Sequence, residues 1–148
     1  MWPLGSDNKN NTNTNTSPQS PSDSSKVKIL IVEDDEFFIQ AYVTKFAQEG
    51  LVVEVATDGA MAIQKVKAIS PNLIILDLMI PVKDVFLVLE ELQGNPLTKN
   101  IPIIISSNLD QDASVKRGIS LGAKDYFVKA NISLEELVKK VKEYLPKK

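Results

Sequence analysis

The chain has 148 residues, 43% of them apolar, with a formal net charge of −2 and neither cysteine nor histidine. That length suits one domain with a proper core, and the near-neutral total gives no electrostatic drive toward nucleic acid or an acidic membrane surface. Without cysteine or histidine there are no disulfides, no thiolate or imidazole ligands and no cysteine nucleophile, so a metal site must be built from oxygen, which points to magnesium, calcium or manganese.

The opening Met1-Trp2-Pro3-Leu4-Gly5-Ser6 lacks the basic start and long apolar core of a signal peptide. No apolar stretch is long enough to span a bilayer, and the absence of cysteine fits a cytoplasmic location. Residues 7 to 25 carry no large apolar side chain, so they cannot bury enough surface to offset their ordering entropy. This divides the chain into a disordered polar tail over 1–25 and a folded domain over 26–148.

Val27 to Val32 reads as a buried strand that runs into Glu33-Asp34-Asp35. A helix follows over Glu36 to Gln48, with Phe38, Ala41, Tyr42, Lys45 and Phe46 at helical spacing and Gly50 as its stop. Leu51 to Ala56 is β-branched and strand-like, and Asp58 caps a second helix that ends at Ile69, before Ser70-Pro71. The third strand is Leu73 to Asp77, four large apolar residues closed by a carboxylate. Burying a charge there is costly unless it has a partner or a task. Pro81 breaks the next loop, a helix spans about Asp84 to Gln93, and Gly94-Asn95-Pro96 turns. Ile101 to Ser106 is the fourth strand, followed by a weaker helix over Asp112 to Leu121 that Gly122 closes. Asp125 to Val128 is a short fifth strand, and Ser133-Leu134-Glu135-Glu136 has the capping-box spacing that opens a last helix to about Leu145.

Five strand–helix alternations predict an α/β fold, a five-stranded parallel sheet with helices on both faces. Functional groups in such sheets collect beyond the carboxyl ends of the strands, where Glu33, Asp34, Asp77, Ser106 and Lys129 all fall. Carboxylates gathered there repel unless a cation neutralises them, and Mg2+ takes carboxylates while bridging to phosphate. Lys129 supplies a positive charge for Asp77 at rest and for a phosphoryl oxygen later, and the Ser106 hydroxyl can donate to the same oxygen. An aspartate can accept a phosphoryl group as a nucleophile.

The segments Ile29-Leu30-Ile31-Val32-Glu33-Asp34-Asp35, Leu76-Asp77-Leu78-Met79-Ile80-Pro81, Ile105-Ser106-Ser107 and Asp125-Tyr126-Phe127-Val128-Lys129 occur in this order at fixed separations. Together they resemble the receiver domain of two-component response regulators, the CheY-like family, over roughly Lys26 to Leu145. The resemblance implies a flavodoxin-like (βα)5 fold and a phosphoacceptor role for Asp77. It implies Mg2+ held by Glu33, Asp34, Asp77 and the backbone carbonyl of Met79. Glu33-Asp34 is preferred over the register shifted to Asp35 because Val32 is the last inward apolar residue. Ser106 matches the switch hydroxyl, Lys129 the site lysine, and Tyr126 the aromatic whose rotamer accompanies switching. A histidine kinase or histidine phosphotransfer protein is the implied donor. The implied output is a protein target on the surface of the fourth helix, fifth strand and fifth helix, with no direct nucleic-acid contact and no membrane insertion. Two positions depart from the family pattern. Ala130 stands where proline is common after the lysine, and Val85 stands where glycine is usual, excluding an easy positive φ.

Plainer roles stand beside these. Asp77 alone suits a cap or a salt bridge, the acidic run suits capping of the first helix, and Ser106-Ser107 suits a turn. Tyr126 suits core packing, and Lys139, Lys140 and Lys142 suit a solvated face. Two rival functions are a receiver-like binding module that is never phosphorylated and a magnesium phosphohydrolase with an aspartyl nucleophile. The hydrolase would place a second aspartate two residues after Asp77, where Met79 stands.

Overall fold

Near-continuous Ile, Leu and Val runs form the three central strands, because a parallel strand flanked on both sides is covered on both faces. The computed structural model describes residues 26–108 and 111–146, and the polar tail expected over 1–25 lies outside the described residues. The strands are β1 (Lys28–Val32), β2 (Val52–Ala56), β3 (Leu73–Asp77), β4 (Ile103–Ser107) and β5 (Asp125–Val128). The helices are α1 (Glu36–Gln48), α2 (Gly59–Ile69), α3 (Val85–Gln93), α4 (Asp112–Ser120) and α5 (Leu134–Tyr144). All strand pairs are parallel, in the order β2-β1-β3-β4-β5. The chain winds outward from β1 in one direction and then the other, which leaves a crevice at the carboxyl ends of β1 and β3.

Alternate residues of each strand feed two cores. Ile29, Ile31, Leu73, Ile75 and Ile104 pack with Tyr42 and Phe46 of α1 and Leu137, Val138 and Val141 of α5. Leu30, Val32, Ile74, Leu76, Ile103 and Ile105 pack with Ala62, Ile63 and Val66 of α2, Val88 and Leu89 of α3, and Val115 of α4. Fully burying each such side chain stabilises the fold by roughly 1.5–3 kcal/mol.

Helix starts follow their caps. Asp35 accepts from Phe37 N–H at 2.9 Å, Asp58 from Met61 N–H at 2.8 Å and Asp84 from Phe86 N–H at 2.8 Å. Ser133 and Glu136 form the reciprocal capping box predicted for α5. The fourth strand begins two residues later than its apolar run suggests: Pro102, which has no N–H to add to a ladder, precedes it. It also continues through Ser107, which pairs in register with Val128. Among the described residues no peptide bond is cis, and Lys129–Asn131 makes a 3-10 turn through Ala130. No described helix is long and apolar enough to cross a membrane.

Candidate functional site

Register places the site. Asp77 pairs with Ser106, and Ser106 with Phe127, while Val32 pairs with Leu76, so Glu33 falls beside Asp77 at the next step. Glu33 N–H still donates to Ala56 O at 3.0 Å, which extends β1 by one residue. Because side chains alternate, Glu33, Asp77, Ser106 and Phe127 share the face that Ile31, Ile75 and Ile104 present to α1. A row of polar groups therefore caps one core at the carboxyl edge of the sheet.

The charges in this row are almost dry. Glu33 is 1% exposed and Asp77 3%. Lys129 enters from the end of β5 with its side chain 8% exposed; its Nζ lies 2.8 Å from Glu33 Oε1 and 3.1 Å from Asp77 Oδ2. The pairing with Asp77 is the one the sequence suggested; the closer contact with Glu33 was not anticipated. The other Asp77 oxygen, Oδ1, accepts from Met79 N–H at 3.1 Å. The other Glu33 oxygen, Oε2, accepts from Asp35 N–H at 3.2 Å. Burial, aided by the negative charge of Asp77 and opposed by Lys129, pushes the Glu33 carboxyl up to about 7. Lys129 moves upward too. Burial opposes that rise, and its contacts with Glu33 and Asp77 outweigh it.

Carboxylate oxygens of Glu33, Asp34 and Asp77 lie within 4.8 Å of one another. Asp34 is exposed while its two neighbours are buried, so the cluster opens outward. With all three carboxylates ionised, one ammonium leaves two negative charges unmatched, which one divalent cation would cancel. The donors are all oxygens, the set a hard cation prefers. Asp35, the alternative in the sequence register, is occupied as the cap of α1.

Ser106 is fully buried, and its hydroxyl has no aligned partner. The adjacent Ser107 is satisfied, donating to Phe127 O at 3.2 Å. The Tyr42 phenol is the group nearest to pairing with Ser106, and of the two serines only Ser106 lacks a well-aligned hydrogen bond. Met79 sits beside the cluster and is 61% exposed. A cleft of about 460 Å3 opens beside it, lined by Asp34, Met79, Pro81, Asp84, Gln111 and Ser114 among others, and reaches the acidic cluster at Asp34. Tyr126 does not join the other five. It pairs in register with Ile105, on the opposite face from Phe127, and lies 46% exposed beside Val115 and Ile119 of α4.

The loop after β3 holds one feature that had no signal in the sequence. Val85 is a buried first residue of α3, and the positive φ falls at Val82, at 76°. Lys83 N–H donates to Pro81 O at 2.9 Å across Val82, the hydrogen bond of a γ-turn. Gly59 of α2 packs against this loop. Its N–H donates to Pro81 O at 3.2 Å, and a Cβ on it would stand 2.9 Å from Lys83 O.

Helical spacing identified Phe38 and Tyr42 as core residues only. The structure puts both against the site. Lys129 Nζ sits 4.5 Å from the centre of the Phe38 ring, and Tyr42, 3% exposed, faces the polar row. Burial, and then the charge of Glu33, hold the Tyr42 phenol above its ordinary pKa, so it stays protonated. The only hint in the sequence was an aromatic cluster, Phe37, Phe38 and Tyr42, directly after the acidic run.

Residues 29–142 match the model of the response regulator receiver domain. Among curated proteins, the chain is 32% identical over 102 residues to the response regulator PleD of Caulobacter vibrioides, covering 69% of this chain and 22% of that one. It is 33% identical over 122 residues to the DNA-binding dual master transcriptional regulator RpaA of Synechocystis, covering 80% and 48%. The chain therefore spans half or less of these relatives. Among solved structures, the Francisella response regulator 1452 receiver domain superposes with a TM-score of 0.72 at 31% identity, covering 80% of this chain and 96% of that one. The Vibrio cholerae chemotaxis protein CheY4 superposes with a TM-score of 0.75 at 26% identity, covering 82% and 100%.

Proposed function

We propose, on the premise that the chain belongs to the response regulator receiver domain family of two-component signal transduction, that it is a switch whose Asp77 accepts a phosphoryl group. The observation that carries this reading is the state of Asp77 itself. Its Oδ1 is held by the Met79 N–H and its Oδ2 by Lys129, beside an acidic cluster that opens to solvent. A carboxylate so oriented is a preorganised nucleophile.

The donor is a phosphohistidine on a histidine kinase or histidine phosphotransfer protein. An Asp77 oxygen forms the new P–O bond as the P–N bond to the donor imidazole breaks, and the released nitrogen takes up a proton. Glu33, Asp34, Asp77 and the Met79 carbonyl would hold Mg2+, which neutralises charge on the phosphoryl oxygens. Lys129, already at Asp77 Oδ2, would stay with the phosphoryl oxygens as charge develops, and the free Ser106 hydroxyl would donate to one of them. The acyl phosphate adds nearly two negative charges at the carboxyl edge of the sheet. Ser106 moving toward it would vacate space beside β5, and Tyr126, now outward, would turn in. The surface of α4, β5 and α5 would then change its affinity for a protein target. The domain catalyses its own phosphorylation and slow hydrolysis and is otherwise not an enzyme. We infer no direct contact of this domain with nucleic acid; DNA binding belongs to the longer relatives, such as the Synechocystis regulator, as their names state.

Incubation with acetyl phosphate and Mg2+, followed by intact mass measurement, tests this. One phosphate added to the wild type and none to Asp77→Asn is the expected result. Folded wild-type protein that gains no phosphate would favour a binding module that is not phosphorylated. Steady phosphate release from assorted phosphomonoesters would favour a hydrolase.

A further inference from the structure

We propose that Phe38 is a positioning residue for Lys129: its ring face is the one partner of the ammonium that stays fixed while the two carboxylates change theirs. The proposal rests on the phosphoacceptor reading of Asp77. Lys129 Nζ has three neighbours here, Glu33 Oε1 at 2.8 Å, Asp77 Oδ2 at 3.1 Å and the centre of the Phe38 ring at 4.5 Å. In the loaded site both carboxylates are committed elsewhere, Glu33 to the cation and Asp77 to the phosphoryl group. The ring's other contacts are with the aromatic rings of Phe37 and Tyr42, which neither the cation nor the phosphoryl group recruits. An ammonium over a ring face is attracted by the ring quadrupole, more strongly when desolvated, and this side chain is 8% exposed.

The ring is itself held. It stands edge-on to Phe37, with centroids 5.2 Å apart at 84°, and lies 5.8 Å from the ring of Tyr42. Tyr42 stands edge-on to Phe127 at 6.3 Å, and Phe127 lies two residues before Lys129 on the strand that carries it. The contacts run from Lys129 through Phe38 and Tyr42 and back to β5. Tyr42 and Phe127 are both buried, so this loop of contacts is anchored in the core. The ammonium is thus confined by packing as well as by charge.

Phe38→Leu stays apolar with less bulk and removes the quadrupole, whereas Phe38→Tyr keeps the ring. With the full chain, acetyl phosphate and Mg2+, Phe38→Leu should lower the maximal phosphorylation rate roughly three- to tenfold, and Phe38→Tyr should stay within about twofold of wild type. In a Lys129→Ala background, Phe38→Leu should have no further effect, since the ring acts through the lysine. A second readout needs neither phosphate nor metal. The Lys129 methylene protons, held near a ring face, should resonate upfield in the wild type and Phe38→Tyr and return to ordinary positions in Phe38→Leu. A wild-type rate in Phe38→Leu, or an equal loss with and without Lys129, would overturn the proposal, and so would unshifted wild-type methylene protons. If the wild type takes no phosphoryl group, the reading of Asp77 fails, and the proton shifts still decide whether the ring holds the lysine.

Discussion

Raising the pH from about 5 to about 8 without divalent cations should destabilise this protein, and Glu33 should be the cause. Its carboxyl is pushed from 4.5 to about 7 in the folded state. A raised carboxyl binds its proton more tightly when folded, so its contribution to stability is complete below about pH 4.5 and disappears as the pH rises through 7. At 1.36 kcal/mol per unit, the shift corresponds to about 3 kcal/mol, a large part of the 5–15 kcal/mol typical of a domain. For a chain of this length that is a fall in Tm of about 6–12 °C. The window is unusually clean because the chain has no histidine and no cysteine to titrate within it. Urea unfolding across the range, in chelator, should show the decline in wild type and a nearly flat profile in Glu33→Gln. Mg2+ should reverse the decline, with a larger effect at pH 8 than at pH 5.5, because it binds the ionised cluster. Parallel pH profiles for wild type and Glu33→Gln would refute the reasoning.

Lys129→Ala leaves Glu33 and Asp77 buried without their cation, so it should destabilise the metal-free protein by about 3–5 kcal/mol, measured by urea unfolding. It should retain Mg2+ binding in a titration yet fail to couple phosphorylation to partner affinity. Gly59→Ala would place a Cβ 2.7 Å from Lys83 Cβ and 2.9 Å from its carbonyl, so the loop after β3 must shift; a loss of about 1–3 kcal/mol and weaker Mg2+ binding are expected. Val82→Gly should stabilise by about 1 kcal/mol, since Val82 holds a φ of 76° and is 77% exposed, and thermal unfolding reads this directly.

Much of the fold was legible because burial leaves a pattern along the chain. The runs ending at Val32 and Asp77 read as covered strands, and Asp58 and Ser133 named their helices through local hydrogen bonds. The site was legible for the same reason, since a carboxylate or hydroxyl directly after an apolar strand marks the edge where a parallel sheet collects its chemistry. The choice of Ser106 over Ser107 rested on the family resemblance, and the structure supplies its physical reason. Two adjacent residues point to opposite faces, and only register decides which one lies beside Asp77. Valine at position 85 excludes an easy positive φ, and Val85 is indeed helical, held by the Asp84 cap and its own burial; the positive φ at Val82 had no signal in the sequence.

Read alone, then, the chain determined its element types, its fold class and the identity of the residues at the sheet edge, because those follow from periodicity and from neighbours a few positions apart. The order β2-β1-β3-β4-β5, the bridge from Lys129 to Glu33 and the ring of Phe38 against the ammonium were decided only by tertiary packing. Lys129 and Glu33 stand at opposite ends of the domain in sequence. What pairs them is the free energy of two buried charges finding each other in a dry pocket, which no local pattern encodes.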